Sequence, residues 1–166
     1  QKDLLMSTLL QVRDLAVTFR QDGVESRAVK GVSFDLQKGE TLALVGESGS
    51  GKSMTALAAM QLLPHGAEAR GRILLDGADM LSLSEAAMCR LRGRRIGMVF
   101  QEPMTALNPV KTIGEQIAEG LALHMRMTRA TAMERVRALL DRVGLARARV
   151  TPERFPHQLS GGQRQR

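Results

Sequence analysis

Gly46-Glu47-Ser48-Gly49-Ser50-Gly51-Lys52-Ser53 decides how this chain is read. The stretch fits G-x-x-x-x-G-K-[ST], and the residues on either side give that pattern a mechanism. Three glycines let a backbone wrap round a polyanion without Cβ clashes, so that amide N–H groups converge on phosphate oxygens at the positive end of a helix. Lys52 adds a full positive charge, and the Ser53 hydroxyl is suited to Mg²⁺. Upstream, Thr41-Leu42-Ala43-Leu44-Val45 has the unbroken apolar character of a buried strand. Downstream, Met54 to Leu63 carries a helical pattern that Pro64 is expected to stop. The spacing predicts a nucleoside triphosphate site.

Working outward, 166 residues at 43% hydrophobic suffice for an α/β core, and no apolar run is long enough to cross a bilayer. Cys89 is the single cysteine, which excludes an internal disulfide and suits a reducing compartment. A formal charge of +7 invites a nucleic-acid reading. Against it, the arginines are scattered, with Arg90, Arg92, Arg94 and Arg95 the densest group, and 2% aromatic content leaves almost nothing for bases to stack on. No nucleic-acid partner is expected. The chain starts at Gln1, Met6 can serve as an internal start, and residues 1–8 are expected to be a disordered extension.

Leu10, Val12, Leu15, Val17 and Phe19 alternate in places, predicting a strand or two short ones before a turn at Arg20 to Gly23. Val32, Phe34 and Leu36 alternate again ahead of a turn at Lys38-Gly39. Gly71 to Gly77 reads as a short strand with a turn, Ser84 to Leu91 as a helix, and Ile96 to Phe100 as another buried strand ending at Gln101. Helical spacing then dominates, over Ile113 to His124 and Arg129 to Val143, with Gly144 as the stop. A second, mainly helical lobe is expected. At the end, Leu159-Ser160-Gly161-Gly162-Gln163 offers a hydroxyl and unobstructed amides where a helix begins. Alone, Ser-Gly-Gly is equally the composition of a flexible turn.

Gly46 to Ser53, Gln101 and Leu159 to Gln163, taken together and in that order, resemble the Walker A, Q-loop and LSGGQ signature of an ATP-binding cassette (ABC) transporter nucleotide-binding domain. The resemblance covers nearly the whole chain from Leu9. The Walker A stretch, Gln101 to Pro109 and Phe155 to Ser160 resemble the subfamily that imports oligopeptides, dipeptides, glutathione and nickel. It implies an α/β P-loop NTPase core with an antiparallel β subdomain over residues 9–103, and a helical subdomain over 104–166 ending in the signature. The implied nucleotide contacts are Gly46, Glu47, Ser48, Gly49, Ser50, Gly51, Lys52, Ser53 and Met54, with Ser53 and Gln101 ligating Mg²⁺ beside ATP. Phe19 is the candidate for stacking on adenine, with a core role as the alternative. Leu159, Ser160, Gly161, Gly162 and Gln163 would reach ATP on a second cassette, which makes a dimer part of the mechanism. Met104, Leu107 and Pro109 are read as exposed contacts for membrane permease subunits, served indirectly by a solute-binding protein. The implied location is cytoplasmic, peripheral on the inner face of the plasma membrane.

Within these 166 residues no strand ending in the Walker B aspartate and catalytic glutamate follows the signature, nor a switch histidine. His65, His124 and His157 do not replace them. No catalytic residue is therefore assigned; the intact parent is expected to hydrolyse ATP and this stretch alone to bind it weakly. Leu42, Leu44 and Val45 are expected to lack a neighbouring strand and leave an apolar edge open. A non-transport ATPase of the same superfamily and a non-catalytic nucleotide-binding module are the alternatives.

Overall fold

In the computed structural model, which describes residues 8–21, 23–100, 106–145 and 150–166, the first apolar runs form a long antiparallel hairpin. Strand β1 (Thr8–Gln21) pairs with β2 (Val24–Gln37), and Gly23 at φ 78° makes the turn. The broken alternation of the sequence has a geometric cause. Against β2, β1 advances three residues from Val12 to Leu15 while its partner advances two, and against the strand on its other side it does the same from Arg13 to Ala16, a β-bulge around Asp14 at φ 47°. An extra residue reverses the parity of a strand, so Val12, Leu15 and Val17 all come to lie buried. In β2 the extra residue is Gly31 at φ 92°, which brings Val29 into register with Val17 while Val32, Phe34 and Leu36 stay half-buried.

Strand β3 (Ala67–Leu75) pairs with the other edge of β1, and β4 (Ala78–Asp79) turns back on it, giving the order β2-β1-β3-β4. Gly71 sits opposite the β1 bulge, where a Cβ would stand 2.6 Å from the carbonyl oxygens of Arg13 and Asp14. Helix α1 (Lys52–Ala59) buries Thr55, Ala58 and Ala59 and packs against β1 and β2. Its end corrects the expectation that Pro64 stops it. The helix finishes earlier because Gln61 adopts φ 50° and its amide donates to the carbonyls of Met80 and Leu83. The Arg92 guanidinium, on the far side of helix α2 (Glu85–Leu91), donates to the freed carbonyls of Met60 and Gln61.

Two other expectations are corrected. Residues 41–45 and 96–100 form no ladder among the described residues, and Val45 and Val99 are 90% and 97% exposed. Continuous apolar character marks a strand that needs neighbours on both sides; these residues have no neighbouring strand among those described, so Leu42, Leu44, Val45, Val99 and Phe100 are exposed while Ile96 and Met98 are half-buried. The exposure of Leu42, Leu44 and Val45 agrees with the expected open apolar edge, while the strand geometry does not.

The chain divides into two compact units, Gln1–Arg92 and Gly93–Arg166. In the second, helix α3 (Ile113–Met125) starts at a capping box: the Thr112 hydroxyl accepts from Glu115 N–H, and the Glu115 carboxylate accepts from Thr112 N–H at 2.9 Å. Helix α4 (Arg129–Arg142) follows after a left-handed Arg126, and its end meets the predicted Gly144, at φ 75°. Ile113, Val136, Leu140, Leu145, Val150 and Leu159 form the core of this unit, with Ile117, Leu121 and Met133 against it. Among the described residues no helix is long and apolar enough to cross a membrane.

Gly71→Ala is expected to cost about 1–3 kcal/mol, because it adds a carbonyl clash to an unfavourable φ of 108°. Gly77→Ala, at φ 82° with open space around it, is the control that carries only the backbone term; denaturant midpoints compare them. Hydrogen bonds from the Thr112 backbone and then its hydroxyl hold the Glu115 carboxyl below its ordinary value. A lowered native value means stability is full above the ordinary carboxylate range and is lost as pH falls through the lowered value. Glu115→Gln should flatten the acid limb of a stability-versus-pH curve, measured by denaturant titration from neutral to acid pH.

Candidate functional site

Helix α1 differs from its neighbours at the start. Helices α2, α3, α4 and α5 (Gly161–Gln165) begin at Ser84, Thr112, Thr128 and Ser160, each of whose hydroxyls accepts an N–H of the first turn. Helix α1 begins at Gly51, with no side-chain cap and no acidic residue in its first turn. Its leading amides therefore meet the glycine loop without an internal anion or hydroxyl to satisfy them. A helix start of that kind favours an external anion, through the unpaired N–H groups and the positive end of the helix dipole together.

The loop is fastened to the hairpin at one point. Gly51, at φ 90°, lies so close to β2 that a Cβ would come within 2.4 Å of the Ala28 carbonyl oxygen and 2.9 Å of Val29 Cγ2. Thr55, one turn into α1, is buried and returns both its N–H, at 2.9 Å, and its hydroxyl, at 3.0 Å, to the Gly51 carbonyl. The Lys52 ammonium bends back over the loop, donating to the carbonyls of Gly46 at 2.9 Å and Glu47 at 2.7 Å, and to Ser50 Oγ at 3.1 Å. Ser50 N–H donates to Glu47 O at 3.2 Å, closing a turn beneath it. Ser53 is exposed, and its hydroxyl makes no hydrogen bond to the described residues. No group of three or more His, Cys, Asp or Glu able to hold a metal occurs among the described residues.

Phe19 is half-buried on β1, paired with Ser26 and Ala67, and strand alternation puts it on the face that carries Val17. Gln101 and Met104 lie outside the described residues. In the second unit, backbone bonds from Ile113 N–H to Arg154 O and from Gly114 N–H to Pro152 O dock the approach to the signature on the start of α3. Leu159 is buried in that core, and Ser160 follows it at the surface as the cap of α5. Ser160 N–H donates to Gln163 Oε1 at 2.9 Å and Gln163 N–H to Ser160 Oγ at 3.3 Å, so the predicted helix start holds. Around Gly161 and Gly162 the space a Cβ would fill is open. Leu107 is a correction: it is half-buried and lines an apolar cavity of about 270 Å³ with Ile113, Ile117 and Leu159, whereas Pro109 is exposed as expected. Sequence reading missed Thr55 and Ser50 as parts of the loop's support. A polar residue at a core position of α1 is the signal for Thr55, and nothing in the pattern singles out Ser50.

The glycine loop running into an uncapped helix on a sheet is the arrangement of a P-loop α/β protein. Residues 29–166 match the ABC transporter family, and the chain belongs to it. It is 51% identical over 162 residues to the oligopeptide transport ATP-binding protein OppD of Mycobacterium tuberculosis, covering 97% of this chain and 26% of that protein. Against the peptidoglycan transport ATP-binding protein YejF of Agrobacterium fabrum it is 53% identical over 167 residues, covering 99% of this chain and 31% of that one. The fold matches the dimeric ATP-binding cassette MJ0796 in a post-hydrolysis state bound to ADP and Pi, with a TM-score of 0.79 at 26% identity, over 93% of this chain and 65% of that one. The chain thus spans between a quarter and a third of the length of these two curated relatives.

Gly51→Ala is expected to destabilise the first unit by about 1–3 kcal/mol, since the close approach to β2 and the positive φ both oppose a side chain. The same denaturant titration, with hydrogen exchange at Thr55 N–H, checks whether the start of α1 lifts from β2.

Proposed function

We propose that the chain is the phosphate-holding and signature-bearing part of an ATP-binding subunit of an importer for peptides or related small solutes. The observation that carries this is the bare N-terminus of α1, set against the hydroxyl caps of the other described α-helices. In this reading the amides of Gly49 to Ser53 and the Lys52 ammonium hold the β- and γ-phosphates of ATP. Gly46, Glu47, Ser48 and Met54 complete the loop, and Phe19 is the candidate adenine contact. The free, exposed hydroxyl of Ser53 fits Mg²⁺, a cation that takes oxygen ligands and keeps waters and phosphate oxygens in its shell. Gln101 would be its second protein ligand. Bound there, Mg²⁺ would offset phosphate charge.

Leu159 would anchor Ser160, Gly161, Gly162 and Gln163 so that the open glycine backbone addresses nucleotide on a second cassette. The dimeric cassette that shares this fold supports that arrangement. Membrane permease subunits are the further partners and the inner face of the membrane the place of work in this reading; the likeness to transport ATP-binding proteins supports a role in transport. Hydrolysis needs a group that orients water and a well-held metal. Those are proposed to belong to the longer parent, so the 166 residues are expected to bind Mg-ATP and release negligible phosphate.

Isothermal titration of the chain with Mg-ATP, beside Lys52→Ala and with phosphate release followed in parallel, tests this. Loss of the charged donor is expected to weaken binding by roughly tenfold or more. A demonstrably folded chain that binds no Mg-ATP would count against the reading. So would steady turnover that Lys52→Ala abolishes, because it would place a hydrolytic group inside these residues.

A further inference from the structure

Each of the three acceptors around the Lys52 ammonium belongs to the phosphate loop itself: Gly46 O, Glu47 O and Ser50 Oγ. An ammonium has three N–H donors and no more, so this arrangement is saturated. A phosphate oxygen can receive a hydrogen bond from Lys52 only by displacing one of the three. The two carbonyls are part of the backbone, and that of Glu47 also accepts Ser50 N–H in the turn. Ser50 Oγ is the longest of the three contacts, at 3.1 Å against 2.9 and 2.7 Å, and the only one on a rotatable side chain. It is therefore the partner that gives way. The hydroxyl also has a built place, since it lies where a Cβ on Gly46 would come within 2.6 Å of it.

We propose that Ser50 is a positioning residue that latches Lys52 onto its own loop and so lowers the loop's affinity for the phosphates of a nucleotide. The inference rests on the phosphate-holding reading given above and adds its regulation. Entry of phosphate exchanges the Ser50 hydroxyl for a phosphate oxygen, and departure of the nucleotide restores the latch. Affinity is thereby held down without altering any group that touches the phosphate directly in the amide cradle.

The test compares Ser50→Ala with Ser50→Thr, which keeps the hydroxyl, and Ser50→Cys, which keeps the size and weakens the acceptor. The first readout uses no nucleotide: the rate of chemical labelling of the Lys52 amine, read by mass spectrometry against Lys30, Lys38 and Lys111 in the same molecule. Removing one charge-assisted hydrogen bond at an exposed site should raise Lys52 labelling on the order of three- to tenfold in Ser50→Ala. Ser50→Cys should rise less, and Ser50→Thr should stay near the parent rate. The second readout is the dissociation constant for Mg-ATP, expected to fall by a similar factor in Ser50→Ala. Circular dichroism and denaturant midpoints establish that each variant is folded. Unchanged Lys52 labelling in folded Ser50→Ala and Ser50→Cys, or weaker Mg-ATP binding by Ser50→Ala, would overturn the latch. If labelling rises as stated while neither the parent chain nor Ser50→Ala binds Mg-ATP, the latch stands and the nucleotide reading falls.

Discussion

The first unit depends on a contact that only a missing atom permits. Gly51 approaches the Ala28 carbonyl so closely that a Cβ would have 2.4 Å, and this approach seats the phosphate loop on β2. The approach depends in turn on the strand beneath it. Two bulges, at Asp14 in β1 and at Gly31 in β2, put Val17 and Val29 opposite each other in buried positions. The Val29 side chain then forms the second wall against Gly51. Removing either bulge would reverse the strand beyond it, turn its valine to the other face and remove the seat. Function at the loop is therefore coupled to irregularities of the hairpin more than to its regular pairing.

Helix termini divide the labour differently in the two units. The second unit satisfies its helix starts internally, with Thr112 and Glu115 at α3 and Ser160 and Gln163 at α5, and these reciprocal bonds hold each entry angle. In the first unit α1 has no such partner, while its far end is held firmly by Arg92 and Gln61. One end is pinned and the other left open to an anion. The stability forgone by having Gly51 in place of a hydroxyl cap is on the order of a few tenths of a kcal/mol, small beside the gain available from several charge-assisted bonds to a phosphate.

The signature segment shows how an exposed loop acquires a defined position. Leu159 is buried among Ile113, Val136 and Leu140, so the residue just before Ser160 is set by core packing. The backbone bonds from the start of α3 to Pro152 and Arg154 fix the path leading to it. Gly161 and Gly162 then present backbone with no side chain in the way.

Much of this was legible in order along the chain. The glycine-lysine-serine stretch, the cap at Ser84, the extents of α3 and α4 and the helix start at Ser160 all depend on local chemistry: φ preferences, capping hydroxyls and periodic apolar residues within one or two turns. Residues 41–45 and 96–100 misled because apolar composition reports a preference for burial, and whether a neighbouring strand is there to provide it is a property of other parts of a fold. The broken alternation of β1 could be seen in the sequence; only strand pairing revealed it as a bulge that keeps Val12, Leu15 and Val17 together. The end of α1 was set by Gln61 and Arg92, the latter more than thirty residues away from Met60, and not by the nearby Pro64. By itself the sequence determined the phosphate loop, its family and most helix boundaries, because those rest on short-range stereochemistry. The capture of Lys52 is local, made within six residues by the loop's own path, whereas the seating of the loop on β2 was decided by tertiary structure, because Gly51 meets Ala28 and Val29 only once the chain has folded.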